Sequence, residues 1–196
     1  MFQTGYLKKV QTLLNQIKVI HPISSSAEKA LLEICCEIQF HKGTNIQLIG
    51  HTCKTIYFVK KGCVRIYYFK EDIDITESFE FENSFVARAE SLFTGKPSLK
   101  AIQAIEDTTL IAIDSNLLFK LFDTHHDLER LFRKIIEASY VNTVNRIESL
   151  QFNTADERYI HLLKDHKDIL KRIPLKFIAS YLGITPVSLS RIRAHK

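Results

Sequence analysis

The sequence predicts an α+β fold: an N-terminal antiparallel β-roll, a long central helix and a C-terminal helix-turn-helix. Three observations predict it. Short β-type runs crowd between Ile38 and Ile113. Helical periodicity resumes after Asp114 and holds to the end. The stretch Leu175–Ala194 (LKFIASYLGITPVSLSRIRA) then fits a helix-turn-helix position by position. With 196 residues, 45% of them hydrophobic, the chain can form one medium domain and one small one.

Residues 5–38 read as helical. Leu7, Val10, Leu13, Leu14 and Ile17 recur at helical spacing, and a second segment runs from Ser26 to Cys36 after a Ser-rich turn. Adjacent Cys35 and Cys36 then fall on an apolar helix pattern as small core residues. The runs IQF, TIYFVKKG, CVRIYYF, ITESFEF, AIQAI and TLIAI follow, rich in β-branched and aromatic residues and punctuated by Gly43, Gly50 and Gly62. Many short strands at near-regular spacing point to a small antiparallel barrel or roll.

From His126 to Leu150 the pattern is helical with two faces. Leu128, Leu131 and Ile135 make the first. Ile136, Tyr140, Thr143, Ile147 and Leu150 alternate at four- and three-residue steps, a short coiled-coil seam for a second copy of the chain. Polar Asn142 and Asn145 interrupt that seam, and an amphipathic helix lying on its own roll fits the same residues. Thr154-Ala-Asp-Glu157 is a capping-box signature for the next helix.

In the C-terminal stretch, Ala179 is small enough for two helices to cross, and Gly183 supplies the turn, where a positive φ is easiest for glycine. Ile178, Leu182, Ile184, Leu189 and Ile192 are apolar where the helices must pack. Thr185 suits the N-cap of the second helix and Pro186 its first position. That leaves Pro186, Val187, Ser188, Ser190, Arg191 and Arg193 facing outward. With Thr185 and Lys176, they are the candidate DNA-binding residues. Arg191 has the donors for a guanine edge, and Val187 can meet a thymine methyl group. A small packed corner of helices would show the same apolar pattern. Charge weighs against it: residues 151–196 hold 9 Lys and Arg against 4 acids, leaving 18 of each sign in residues 1–150. The whole net charge of +5 thus lies beside the motif, as phosphate binding requires.

Other classes find little support. No apolar run is long enough to span a bilayer, and MFQTGYLKKV lacks the apolar core of a signal peptide, so a cytoplasmic location is expected. Cys35, Cys36, Cys53 and Cys63 form no C-x-x-C pair, and His161 and His166 lie about 140° apart on a helix, so no metal site is expected. His125-His126 reads as a polar helix start. With no nucleophile elbow, Walker loop, H-E-x-x-H or Rossmann glycine pattern, no catalytic residues and no enzyme activity are expected. The competing account is a stand-alone small-ligand or partner-binding β-roll module without sequence-specific DNA binding.

The order of elements resembles the CRP/FNR family of bacterial transcription regulators. The resemblance is carried by YFVKKGCVRIYYF (Tyr57–Phe69), AIQAIEDTTLIAI (Ala101–Ile113), ADERYIHLL (Ala155–Leu163) and LGITPVSLSRI (Leu182–Ile192). It implies a cyclic-nucleotide-binding-like roll, a double-stranded β-helix, over residues 1–115. It also implies connecting and dimerisation helices over 116–150 and a winged-helix-like DNA-binding domain over 151–196, its wing truncated after Lys196. The implied partners are double-stranded DNA, read at an inverted repeat by a homodimer, and RNA polymerase; no membrane is involved.

Two departures qualify the resemblance. Cyclic-nucleotide binders carry a Gly-Glu pair and then an Arg with Ser or Thr, since backbone N–H groups and a guanidinium must hold the cyclic phosphate. Here Phe81–Ile105 has no Gly-Glu, and Ser98-Leu99 stands where the Arg-Ser pair is expected. Phe85, Arg88, Glu90, Ser98 and Leu99 are the candidate effector-pocket residues. With neither the nearby cations Arg88, Lys96 and Lys100 nor the acid Glu90 at the family's spacing, no cyclic-nucleotide cofactor is expected and no other effector is named. The second departure is Pro186-Val187-Ser188 in place of the Arg-Glu-Thr type of recognition helix, which implies a different target sequence.

Overall fold

The computed structural model describes residues 2–194, with side chains from Val10 onward; the Leu7 side chain, Met1, His195 and Lys196 lie outside the described residues. Helix α1 (Phe2–Ile20) buries Val10, Leu13, Leu14 and Ile17, an i, i+3, i+4, i+7 stripe. Helix α2 (Ser25–Glu33) begins after Ser24, whose hydroxyl accepts the Ala27 N–H at 3.3 Å.

That helix ends earlier than the sequence suggests. Cys35 and Cys36 open strand β1 (Cys35–Phe40) instead of closing α2. The strand pairs in unbroken register with residues 108–113, Cys35 opposite Ile113 and Phe40 opposite Thr108. The ladder pairs the backbone groups of β1 that face residues 108–113, whereas the last turn of a helix leaves its carbonyls without an internal partner. Cys35 is buried as expected, but Cys36 is exposed.

Seven further strands complete the roll: β2 (Asn45–Gln47), β3 (Thr55–Lys61), β4 (Val64–Lys70), β5 (Ile73–Glu80), β6 (Phe85–Val86), β7 (Ala101–Ala104) and β8 (Thr108–Asp114). They form two antiparallel four-stranded sheets, in the orders β1-β8-β3-β6 and β2-β7-β4-β5. No sequence pattern marks β2 and β6, which at three and two residues are too short for any periodicity. One core cluster draws on both sheets, with Val59 and Leu110 from the first and Val64, Ile66 and Ile102 from the second. Glycine is required at Gly62, in the β3–β4 turn: φ is +97, and a Cβ would lie 2.6 Å from Thr108 Oγ1 and 2.9 Å from the Asp107 carbonyl oxygen. The β4–β5 hairpin turns on Glu71 and Asp72, both at positive φ, the backbone that a two-residue hairpin loop demands.

Helices cover the first sheet. Phe58, Ile111 and Ile113 pack with α1, α2, helix α4 (Ser115–Phe122) and the first turns of helix α5 (His126–Phe152), through Leu118, Leu128, Leu131 and Phe132. A short helix, α3 (Ala89–Thr94), lies between β6 and β7. Helix α6 (Ala155–Asp165) opens with the expected capping box: the Glu157 N–H reaches Thr154 Oγ1 at 3.3 Å and the Thr154 N–H reaches Glu157 Oε2 at 2.8 Å. A single turn, α7 (Ile169–Arg172), leads into α8 (Leu175–Leu182) and α9 (Pro186–Ala194). No helix among the described residues is long and apolar enough to cross a membrane.

Candidate nucleic-acid interface

The two last helices form around a few local requirements. Gly183 takes the left-handed conformation, φ 70 and ψ 32, ending α8 and turning the chain toward α9. The Ser188 N–H donates to Thr185 Oγ1 at 3.1 Å, so Thr185 caps α9 and Pro186 follows as its first residue. Ile178, Ala179 and Leu182 of α8 and Leu189 and Ile192 of α9 are buried in one cluster, with Ile184 packed against it. The residues left over point outward: Thr185, Pro186, Val187, Ser190, Arg191 and Arg193 are exposed, Val187 to 62%, and Ser188 is half-buried beside its cap. Lys176 is exposed in the first turn of α8, its ammonium 4.8 Å from the Phe177 ring.

Two arginines hold the turn from behind. Arg158 of α6 donates to the Leu182 carbonyl through Nε at 3.0 Å and Nη2 at 2.9 Å, and to the Asn153 carbonyl at 2.6 Å. Arg146 of α5 donates to the Tyr181 carbonyl and lies 3.9 Å from the centre of the Tyr181 ring. These carbonyls belong to the last turn of α8, where the helix has no internal donor for them and where cations are favoured. Burial lowers the Arg146 pKa, the Tyr181 side opposing that shift. Arg172 of α7 ties the same region to the roll by bridging Glu82 and Glu106, and hydrogen bonding to Glu82 first, then Glu106, raises its pKa.

Along α5 the two faces separate as the pattern suggests. Leu128 and Leu131 are buried, whereas Ile136, Tyr140, Thr143, Ile147 and Leu150 are not, Tyr140 being 69% exposed. An open groove of about 570 Å³ runs along the start of this face, lined by Phe122, Phe132, Arg133, Ile136, Glu137 and Tyr140.

The candidate effector residues do not line one space. Glu90 and Leu99 face solvent, Leu99 to 77%. Phe85 packs against Phe58 and Phe132, with ring centres 5.2 and 6.1 Å apart. The buried Ser98 hydroxyl donates to the Lys100 carbonyl at 2.7 Å. Arg88 is buried; its Nη1 lies 3.5 Å from Glu77 Oε1, while its Nε has no acceptor among the described residues. The other oxygen of Glu77 binds Lys100. Glu77 thus engages both the Arg88 guanidinium and the Lys100 ammonium, and with the other candidates split between solvent and core these five residues do not converge on one place for a cyclic phosphate. Nearby, burial raises the Glu80 pKa to about 7, with the Ser78 hydrogen bond opposing and the charge of Glu77 adding to the rise. Sequence reasoning missed Glu77, Arg146 and Arg158, because their roles depend on partners from distant parts of the chain.

Residues 37–125 match the family model of the cyclic nucleotide-binding domain. Solved structures share the fold of most of the chain. FixK2 from Bradyrhizobium japonicum is 20% identical over 83% of this chain and 84% of its own, with a TM-score of 0.71. A protein from Eubacterium rectale, described as a regulator of the CRP/FNR family, is 19% identical over 88% and 83%, with a TM-score of 0.70. The c-di-GMP responsive global regulator CLP from Xanthomonas campestris is 16% identical over 88% and 91%, also with a TM-score of 0.70. No curated protein matches the chain in sequence.

Proposed function

We propose that this chain, a cyclic nucleotide-binding-like roll joined to a helix-turn-helix in the fold of the CRP/FNR regulators, is a transcription regulator that reads DNA as a homodimer. The observation that carries the reading is the outer face of α9. It leaves Val187, Ser190, Arg191 and Arg193 exposed while Leu189 and Ile192 anchor the helix from behind. A helix so mounted can enter a major groove with its first residues on base edges, while Lys176 and other cations of residues 151–196 meet phosphates. In this reading residues 1–115 form the roll domain, 116–150 the connecting and dimerisation helices, and 151–196 the DNA-binding domain.

Dimerisation is supported by the exposed apolar line on α5 and by the groove at its base. Apolar side chains in water gain by association, and the Arg133–Glu137 pair beside them supplies charges of both signs for a twofold contact. Double-stranded DNA, a second copy of the chain and RNA polymerase are the proposed partners. The proposed setting is the cytoplasm, and no catalytic step is assigned. No group of three or more metal-ligating side chains occurs among the described residues.

The test is selection of bound duplexes from a random DNA pool at about 150 mM salt, since affinities depend steeply on ionic strength. Enrichment of an inverted repeat with half-sites about one helical turn apart is the expected result. A bound pool that stays random makes the basic C-terminal region an electrostatic surface only, and favours the ligand- or partner-binding module.

A further inference from the structure

The outer edge of the second sheet is not open. β5 is the last strand in the order β2-β7-β4-β5, and an unpaired strand edge ordinarily invites water or another chain. Here α8 takes that place. The Thr76 N–H donates to Ser180 Oγ at 2.8 Å, and Ser180 Oγ donates to the Asp74 carbonyl at 2.9 Å. Phe79 of β5 packs on Tyr181 of α8, with ring centres 5.3 Å apart.

At the centre of this junction is Arg65 of β4, only 2% exposed. Its guanidinium binds Asp74 twice, at 2.5 and 2.6 Å, and also reaches Gln103 Oε1 at 2.9 Å and Thr76 Oγ1 at 3.0 Å. Roll acceptors therefore neutralise the charge and occupy the rim of the guanidinium. The flat faces are left to two aromatic rings: Tyr67 of the roll with its centre 4.2 Å away, and Phe177 of α8 with its centre 3.7 Å away. A planar cation can stack in this way while hydrogen-bonding at its edges, and an ammonium cannot.

We propose that Arg65 is a positioning residue for the DNA-reading helix. It seats α8 on the roll edge and so sets the direction of α9. Because α8 and α9 share one small core across the Gly183 turn, the seat of one determines the seat of the other. Arg146 grips the far end of α8 from the proposed dimer helix, so α8 is held from the roll and from α5 together. The spacing of two recognition helices in a dimer is then preset by the protein's own side chains, without a bound effector. The functional half of this inference rests on the DNA-binding reading above.

Hydrogen exchange on the full chain tests the seat, and binding to repeats of altered spacing tests its consequence. In Phe177→Leu and Ser180→Ala, exchange of the α8 amides and of Thr76 N–H is expected to rise about 10-fold or more, with β3 and β8 unchanged. Arg65→Lys is expected to give the same pattern; should it fail to fold, the two α8 variants still decide the question. Unchanged exchange in α8, or an equal rise in β3 and β8, overturns the proposal. On DNA, Phe177→Leu is expected to bind the selected repeat about 10-fold more weakly and to tolerate half-site spacings that the native chain rejects. An unaltered spacing preference overturns the positioning role. If exchange moves as expected but the native chain binds no DNA, the seat stands and the DNA-binding reading fails.

Discussion

The roll and the last helix of this molecule use charge in opposite ways. Within the roll, Glu77 spans Arg88 and Lys100, and Asp74, Thr76 and Gln103 surround Arg65. On α9, Arg191 and Arg193 stand in water. A buried charge is tolerated only beside its counter-charge, so those in the roll are largely spent on the fold. An exposed arginine contributes little to folding and keeps its donors for whatever arrives. Among these ionic side chains, the ones available to a partner are therefore at the C-terminal end, and those of the roll interior hold the scaffold.

Substitutions on either side test this contrast. The largest effect is expected from placing like charges on the exposed face of α5. Ile136→Glu with Tyr140→Glu is expected to give a monomer by sedimentation and to weaken inverted-repeat binding by about 10²-fold or more, the scale of lost bivalency. Next is Arg191→Ala, expected to cost ~1–3 kcal/mol and to relax one base position in a binding-site selection. Equal weakening on all sequences, with a flatter salt dependence, instead makes Arg191 a phosphate contact. Thr154→Ala removes the capping box of α6 and is expected to cost about 1 kcal/mol in denaturant unfolding, without touching base preference.

The roll side of the contrast is tested by pH. Glu80 has its pKa raised by burial to about 7, so the folded chain holds this proton more tightly than the unfolded one. Its contribution to stability is full below its ordinary value of 4.5 and is lost as pH rises through about 7. The melting temperature is therefore expected to fall between about pH 5 and pH 8, and Glu80→Gln is expected to remove that part of the slope. The smallest effect is expected from cAMP and cGMP, which should leave the melting temperature unchanged. A rise at micromolar nucleotide means the roll interior opens to a ligand, and the contrast fails.

Legibility followed distance along the chain. The helix-turn-helix was readable because its requirements lie within twenty residues: a small crossing residue, a glycine at positive φ, a capping threonine and a proline after it. The two faces of α5 were readable for the same reason, each side chain's place following from helical spacing. Cys35 and Cys36 misled because a short apolar pattern suits either structure, and the partner that decided for a strand lies near residue 110. The grouping of Phe85, Arg88, Glu90, Ser98 and Leu99 rested on the stretch Phe81–Ile105 standing where the resemblance puts a phosphate cassette, and place in a loop does not say which side chains face inward.

Elements with a local cause can be read from the residues alone: periodic helices, capped ends, alternating strands, and basic charge gathered in residues 151–196. Which charges are enclosed and which are left out follows from long-range packing. Arg65 and Arg191 are the same residue type, and neither one's neighbours in sequence reveal its fate. One meets Asp74 and, 112 residues on, Phe177; the other meets water. Burial of a charge depends on whether the folded chain brings an acceptor to it, and that is a property of packing between distant segments rather than of any one of them.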